Sequence, residues 1–240
     1  MIRLLVLVLS LLPAIAQAQS VSLDLGQSGD AGATGRLIQL TALITVLSLA
    51  PSLLVMMTAF TRIVIVLSLL RSAIGAQGTP PNMVLIGLAL FLTFFVMQPV
   101  LDEAWVAGLL PLSQGKVGEL DGLTQAAEPF RHFMAINVRA GDLQLFLDLA
   151  HLEPTQPPAW RAIVPAFVIG ELRRAFEMGF LLYLPFLVID MVVSSVLMSL
   201  GMMMLPPSAV SLPFKLIFFV LVDGWRLVAG SLVQSFAPSS

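Results

Sequence analysis

The 240-residue chain contains no cysteine and only two histidines. Without cysteine there is no disulfide framework and no thiol chemistry, and metal sites built on thiolates are excluded. The two histidines, His132 and His151, lie in the most polar part of the chain with no metal-ligand spacing between them, and read as surface or helix-packing residues. The sequence also lacks HExxH, G-x-S-x-G and a phosphate-cradling glycine loop. No catalytic residue, metal ligand or cofactor site is therefore assigned, and an enzyme is not expected. Charge is scarce as well. Charged residues make up 11% of the chain, against about 25% in soluble domains. The net charge of −2 argues against nucleic acid as a partner.

What the chain has in abundance is apolar surface: 58% hydrophobic residues and a mean hydropathy of +0.97. That is the composition of a membrane protein. Met1–Ala18 reads as a secretory signal, with Arg3 as its positive start, Leu4–Leu12 as its apolar core and Ala16-Gln17-Ala18 as its cleavage site. This nine-residue core reaches only about 14 Å as a helix, too short to cross a bilayer. Residues 19–36 then form a glycine- and serine-rich outer tail.

Four apolar blocks follow. Leu37–Leu70 carries one charge, Arg62, and is long enough to require a tilt, a kink or a hairpin near Pro51. Arg71–Asn82 is a turn-rich connector, and Met83–Leu101 is a charge-free block about one bilayer crossing long. Residues 102–162 differ in kind. Eight acids and four bases fall between Asp102 and Arg161, with helical spacing over Gln125–Asn137 and Asp142–His151. This stretch reads as a small extramembrane helical region. An Arg-bearing, acid-free connector against a net-negative region places the connector inside and the region outside, in the periplasm.

Ile163–Leu200 is the third block. Its early charges offer the local pairs Glu171–Arg174 and Arg173–Glu177. Leu212–Phe236 is the fourth, and 237–240 is a short tail. The expected fold is an all-α membrane protein: helical segments or hairpins at 37–101 and 163–236 flanking the region 102–162.

The most informative stretch is PFLVIDMVVSSVLMSLGMMMLPP, Pro185–Pro207. Gly201, Pro206 and Pro207 are turn chemistry, since glycine tolerates positive φ and proline cannot continue a helix. Yet the turn 201–207 has no polar residue before Ser208. Met202, Met203 and Met204 would point about 100° apart on a helix, but in a bent loop they can project together as a soft cluster. Two readings stand: a hydrophobic loop packed on neighbouring helices, or a compliant collar around a conduit built from several copies.

Arg62, Asp190, Lys215 and Asp223 each interrupt apolar surroundings, where a lipid-exposed charge costs about 2.5 kcal/mol or more. Such residues read either as ion pairs locking helices or subunits together, or as a proton relay with Asp190 or Asp223 as carrier.

Five stretches together resemble the FliP family of flagellar type III export-gate proteins, to which the injectisome R-subunits are related. They are MMTAFTRIVIVLSLLR (Met56–Arg71), PPNMVLIGLALFLTFFVMQPV (Pro80–Val100), PAFVIGELRRAFEMGF (Pro165–Phe180), Pro185–Pro207 and LPFKLIFFVLVDGW (Leu212–Trp225). The resemblance runs from about Leu37 to Phe236. It implies a homo-pentamer that joins FliQ-like and FliR-like subunits in a closed helical channel for unfolded flagellar cargo, alongside FlhB-like and FlhA-like export components. It implies helical hairpins stacked in a spiral that projects outward from the plane of the inner membrane, in the flagellar basal body, in contact with lipid. It maps the family's pore-sealing methionine gasket onto Met202, Met203 and Met204, and the family's inter-subunit ion pair onto Glu171 and Lys215. The family usually has serine before that glutamate, where this chain has Gly170. Two other functions remain open: a proton-coupled or ion-conducting transporter, and a purely structural membrane scaffold.

Overall fold

The computed structural model describes residues 55–236 apart from Gln77 and Met203, together with Thr41, Ile44, Thr45, Ser48 and Ser52. The chain divides into two units, 1–49 and 50–240. In the first, the described positions are helical, and the Thr45 hydroxyl donates to the Thr41 carbonyl at 2.8 Å. The expected signal segment 1–18, the tail 19–36, the bend near Pro51 and the tail 237–240 lie outside the described residues.

Within the second unit the described regular structure is entirely helical. Helix α1 spans Phe60–Ile74. It buries Ile63, Val66, Leu67, Leu70 and Ala73 along one side, the i, i+3, i+4, i+7 spacing of an apolar face. Each of these larger side chains contributes about 1.5–3 kcal/mol when fully buried. α1 ends at Gly75, and the chain returns as α2, Asn82–Ala104.

A π-helical turn, Trp105–Leu109, and the short α3, Leu110–Ser113, prolong α2 without a break. Asp102 and Glu103 are therefore part of the long helix rather than the start of a separate region. Helix α4, Glu119–Asn137, packs back on α2 and on the π turn. It can do so because Gly108 faces the backbone of Gly122 and Ala126, leaving no room for a Cβ. Helix α5, Ala140–Ala150, lies against α6.

Helix α6 runs from Trp160 to Ser199, 40 residues and about 60 Å. Pro165 and Pro185 are accommodated inside it. Ala162, Ala166, Gly170, Glu171, Ala175 and Gly179 are buried along it. Small residues at such spacing let backbones approach closely where no hydrophobic force distinguishes helix from lipid. Arg62 faces Glu171 and Leu69 faces Gly179, so α1 and α6 run in the same direction. The local pairs anticipated from spacing, Glu171–Arg174 and Arg173–Glu177, are not among the ion pairs of the described residues.

The last apolar block is not one helix. It divides into α7, Pro207–Leu221, and α8, Gly224–Gln234, with a 63° bend between them. Two described helical stretches, Asn82–Ser113 and Trp160–Ser199, are long and apolar enough to cross a membrane, or three if the bent pair counts as one. Hydropathy along the sequence leads to an expectation of four. Much of the first block lies outside the described residues, and its described helix, α1, has only 15 residues.

Candidate functional site

α6 and α7 form an antiparallel hairpin whose tip is the methionine loop. The tip is built by local chemistry at both ends. Gly201 adopts φ 71°, left-handed and open to glycine without strain. Its N–H reaches the Met198 carbonyl at 3.1 Å, and the Met202 N–H reaches the Leu197 carbonyl at 2.9 Å. This pair of bonds is a Schellman cap that satisfies the last carbonyls of α6. On the far side Pro206 is the cap residue of α7 and Pro207 its first helical position, where a missing N–H costs nothing and φ is already helical.

Between these fixed ends the described apolar side chains are not buried. Met204 is 98% exposed and Met202 and Leu205 are both close to half exposed. Met203 lies outside the described residues. Within this chain Met202 and Met204 are therefore left uncovered by a loop that is closed at both ends.

Below the tip, charged residues hold the hairpin. The Lys215 ammonium lies 2.6 Å from Asp190 Oδ2 and donates to the Ala73 carbonyl at 3.0 Å. The Ser211 hydroxyl donates to Asp190 Oδ1 at 2.5 Å. Ala73 belongs to the last turn of α1, whose carbonyls lack helical partners and carry the negative end of the helix dipole. Lys215 thus ties α7 to α6 and to the end of α1 with one cation. Phe186 against Phe218 and Phe219 continues the hairpin contact.

A second charged cluster sits deeper. Both side chains of Arg62 and Glu171 are only 1% exposed. Arg62 Nε donates to Glu171 Oε2 at 2.7 Å and Nη2 to Oε1 at 2.5 Å. Nη1 donates to the Ser235 carbonyl and hydroxyl, and the guanidinium lies 3.7 Å from the centre of the Phe236 ring. This two-pronged geometry is the strong form of an arginine–carboxylate bond. It joins α1, α6 and the turn that follows Gln234.

The structure thus places the sequence-selected residues in two clusters and one outlier. Asp190 and Lys215 come together, and Arg62 meets Glu171. Glu171 and Lys215 do not meet within the chain; each is turned to a different partner. Asp223, expected to be a buried charge, is exposed. It sits at the bend between α7 and α8 with φ 52°, and its carboxylate is 4.0 Å from Arg226, which is more exposed still. Ser211, Ser235 and the Ala73 carbonyl are not legible in the sequence, because an apolar block gives no hint of which hydroxyl or carbonyl will face a charge. No group of three or more metal-ligating residues occurs among the described residues.

Residues 43–232 match the family described as the FliP family. The chain belongs to the FliP family. It is 56% identical over 231 residues to the flagellar biosynthetic protein FliP of Caulobacter vibrioides, covering 95% of this chain and 86% of that protein. To the FliP of Agrobacterium fabrum it is 48% identical, covering 98% of this chain and 100% of the relative. To that of Bacillus subtilis it is 49% identical, covering 89% and 98%. Every segment of the hairpin and both charge clusters up to Leu232 fall inside the matched FliP range.

Proposed function

We propose that this chain is a non-enzymatic, pore-forming subunit of the flagellar protein export gate, and that Met202, Met203 and Met204 seal its channel at rest. Flagellar biosynthesis is the role named for its relatives. The observation that carries the sealing role is the uncovered loop, with Met204 98% exposed at the tip of a hairpin that is capped at both ends. Several such tips around an axis form a ring of unbranched thioethers. Such a ring can re-pack around passing side chains and close again without a hydrogen-bond requirement. The partners are further copies of the chain, five in a ring, with FliQ-like and FliR-like subunits, in the inner membrane. FlhB-like and FlhA-like components and unfolded flagellar proteins act upon it.

Glu171 and Lys215 each already have a charged partner inside the chain, Arg62 and Asp190. An ion pair between neighbouring subunits through these two requires each to give up its present partner. A proton relay through Asp190 is disfavoured because Lys215 and Ser211 already occupy both of its carboxylate oxygens.

The cysteine-free sequence makes a direct test simple. In cells, the Met204→Cys variant is expected to cross-link, through a thiol-reactive linker, to an export substrate stalled by a folded fusion. Leu149→Cys, at an exposed position on α5, is the control and gives no product. Assembled complexes in which the Met204→Cys variant never captures the stalled substrate contradict the sealing role.

A further inference from the structure

We propose that the cleft between the α1–α2 connector and the start of α7 binds a phosphate group, carried by the headgroup of an anionic phospholipid. The cleft has a volume of about 1210 Å3 and is lined by Arg71 and Lys215 with the polar side chains of Ser72, Thr79, Asn82 and Ser208. Among the described residues no acidic side chain lines it.

Arg71 is half-buried there. Its Nη1 donates to the Pro80 carbonyl and to Asn82 Oδ1, which fixes the guanidinium plane. Among the described residues Nε and Nη2 make no hydrogen bond, so one edge of the fork is left for a planar, two-oxygen acceptor. Lys215, its charge paired with Asp190, lines the cleft and keeps one N–H donor beyond its bonds to Asp190 and Ala73. The hydroxyls of Thr79 and Ser208 donate to nothing among the described residues and supply further donors.

The surroundings favour a lipid over a free anion. Asn82 opens one candidate membrane span and Pro207 opens the bent pair, so the cleft lies where apolar helices begin. Next to it Met83 is 81% exposed, and Phe214, Leu216 and Ile217 are exposed on α7. A headgroup phosphate seated against Arg71 leaves its acyl chains against these faces. The connector also carries the basic sign expected of the inner leaflet, which is rich in anionic lipid. The inference rests on the membrane location and is independent of the export reading.

The test uses the purified full-length chain in non-ionic detergent, with its unfolding temperature followed during titration. The probes are dihexanoyl phosphatidylglycerol, dihexanoyl phosphatidylcholine and inorganic phosphate. Phosphatidylglycerol is expected to raise the unfolding temperature saturably and at lower concentration than phosphatidylcholine. Arg71→Gln should raise the apparent Kd about tenfold or more, the loss of one charge-assisted contact. Because Arg71 also braces the connector, Ser208→Glu is the second variant. It places a negative charge in the cleft from an exposed position, and it should give the same loss with helix content unchanged. Saturation by inorganic phosphate alone, lost in both variants, keeps the phosphate site and assigns it to a free anion. A phosphatidylglycerol response equal to that of phosphatidylcholine and unchanged in both variants overturns the site. So does tighter binding of a hexaglutamate peptide than of either phosphate probe.

Discussion

Arg62 shows how much one residue decides. It is the largest fully buried side chain of the described residues, and every donor it carries toward Glu171 and Ser235 is used. Burying two charges is costly, so the pair contributes little net stability over an apolar replacement, but breaking it strands a charge. Arg62→Ala is therefore expected to cost about 3–5 kcal/mol, read as a lower unfolding midpoint in detergent. Arg62→Met combined with Glu171→Met should recover most of that loss; a double variant as unstable as the single one contradicts the pairing. Sequence reading singles out Arg62, Asp190 and Lys215 as charges in apolar surroundings, and each has an oppositely charged partner within the chain. It cannot name their partners. Arg62 and Glu171 are 109 positions apart, and only the register of α1 on α6 brings them together. Asp223 is misread for a different reason: a hydropathy window averages across the left-handed residue at which the chain turns outward.

At the scale of elements, two glycines set geometry that no hydropathy window contains. Gly201→Ala forces a side chain into a left-handed conformation at the hairpin tip, at a cost of about 1 kcal/mol. Faster amide exchange at the end of α6, with the rest of the helix unchanged, is the expected readout. Gly108→Ala is predicted to be more damaging, about 1–3 kcal/mol, because the new Cβ meets the backbone of Ala126 and Gly122, which cannot rotate aside. Exchange should then rise across the π turn and α4 together. Exchange confined to the mutated turn would show that α4 does not depend on this contact. The long elements are more legible. Apolar runs mark α2 within a few residues of its ends, and α6 follows the third block closely. The fourth block breaks at Val222-Asp223 because the chain bends by 63° there. The short helices α4 and α5 begin earlier than their spacing suggests, since first-turn acids such as Glu119 and Asp121 read as surface charge rather than as residues favourable to a helix N-terminus.

At the scale of the molecule, the unpartnered apolar surface is the dominant fact. Phe91, Phe94 and Phe95 on α2, and Phe176, Phe180 and Leu181 on α6, are all more than half exposed. Contiguous surface of this kind marks contact with lipid or with other subunits. α6, at about 60 Å, is also twice as long as a hydrocarbon core is thick, so part of it must be covered by something other than acyl chains. Lys215→Met, which frees Asp190 and the end of α1 while preserving bulk, is expected to reduce the yield of assembled complex on native gels. Normal assembly in that variant would confine the hairpin clamp to the single chain. If the methionine tips close a channel, membrane leak reports on them without an intermediary. In cells carrying the assembled gate, Met202→Ala, Met203→Ala and Met204→Ala in combination should leave complex formation near normal and raise the leak of ions and small molecules at rest. Intact complex with no increase in leak would contradict the seal and return the methionines to ordinary packing.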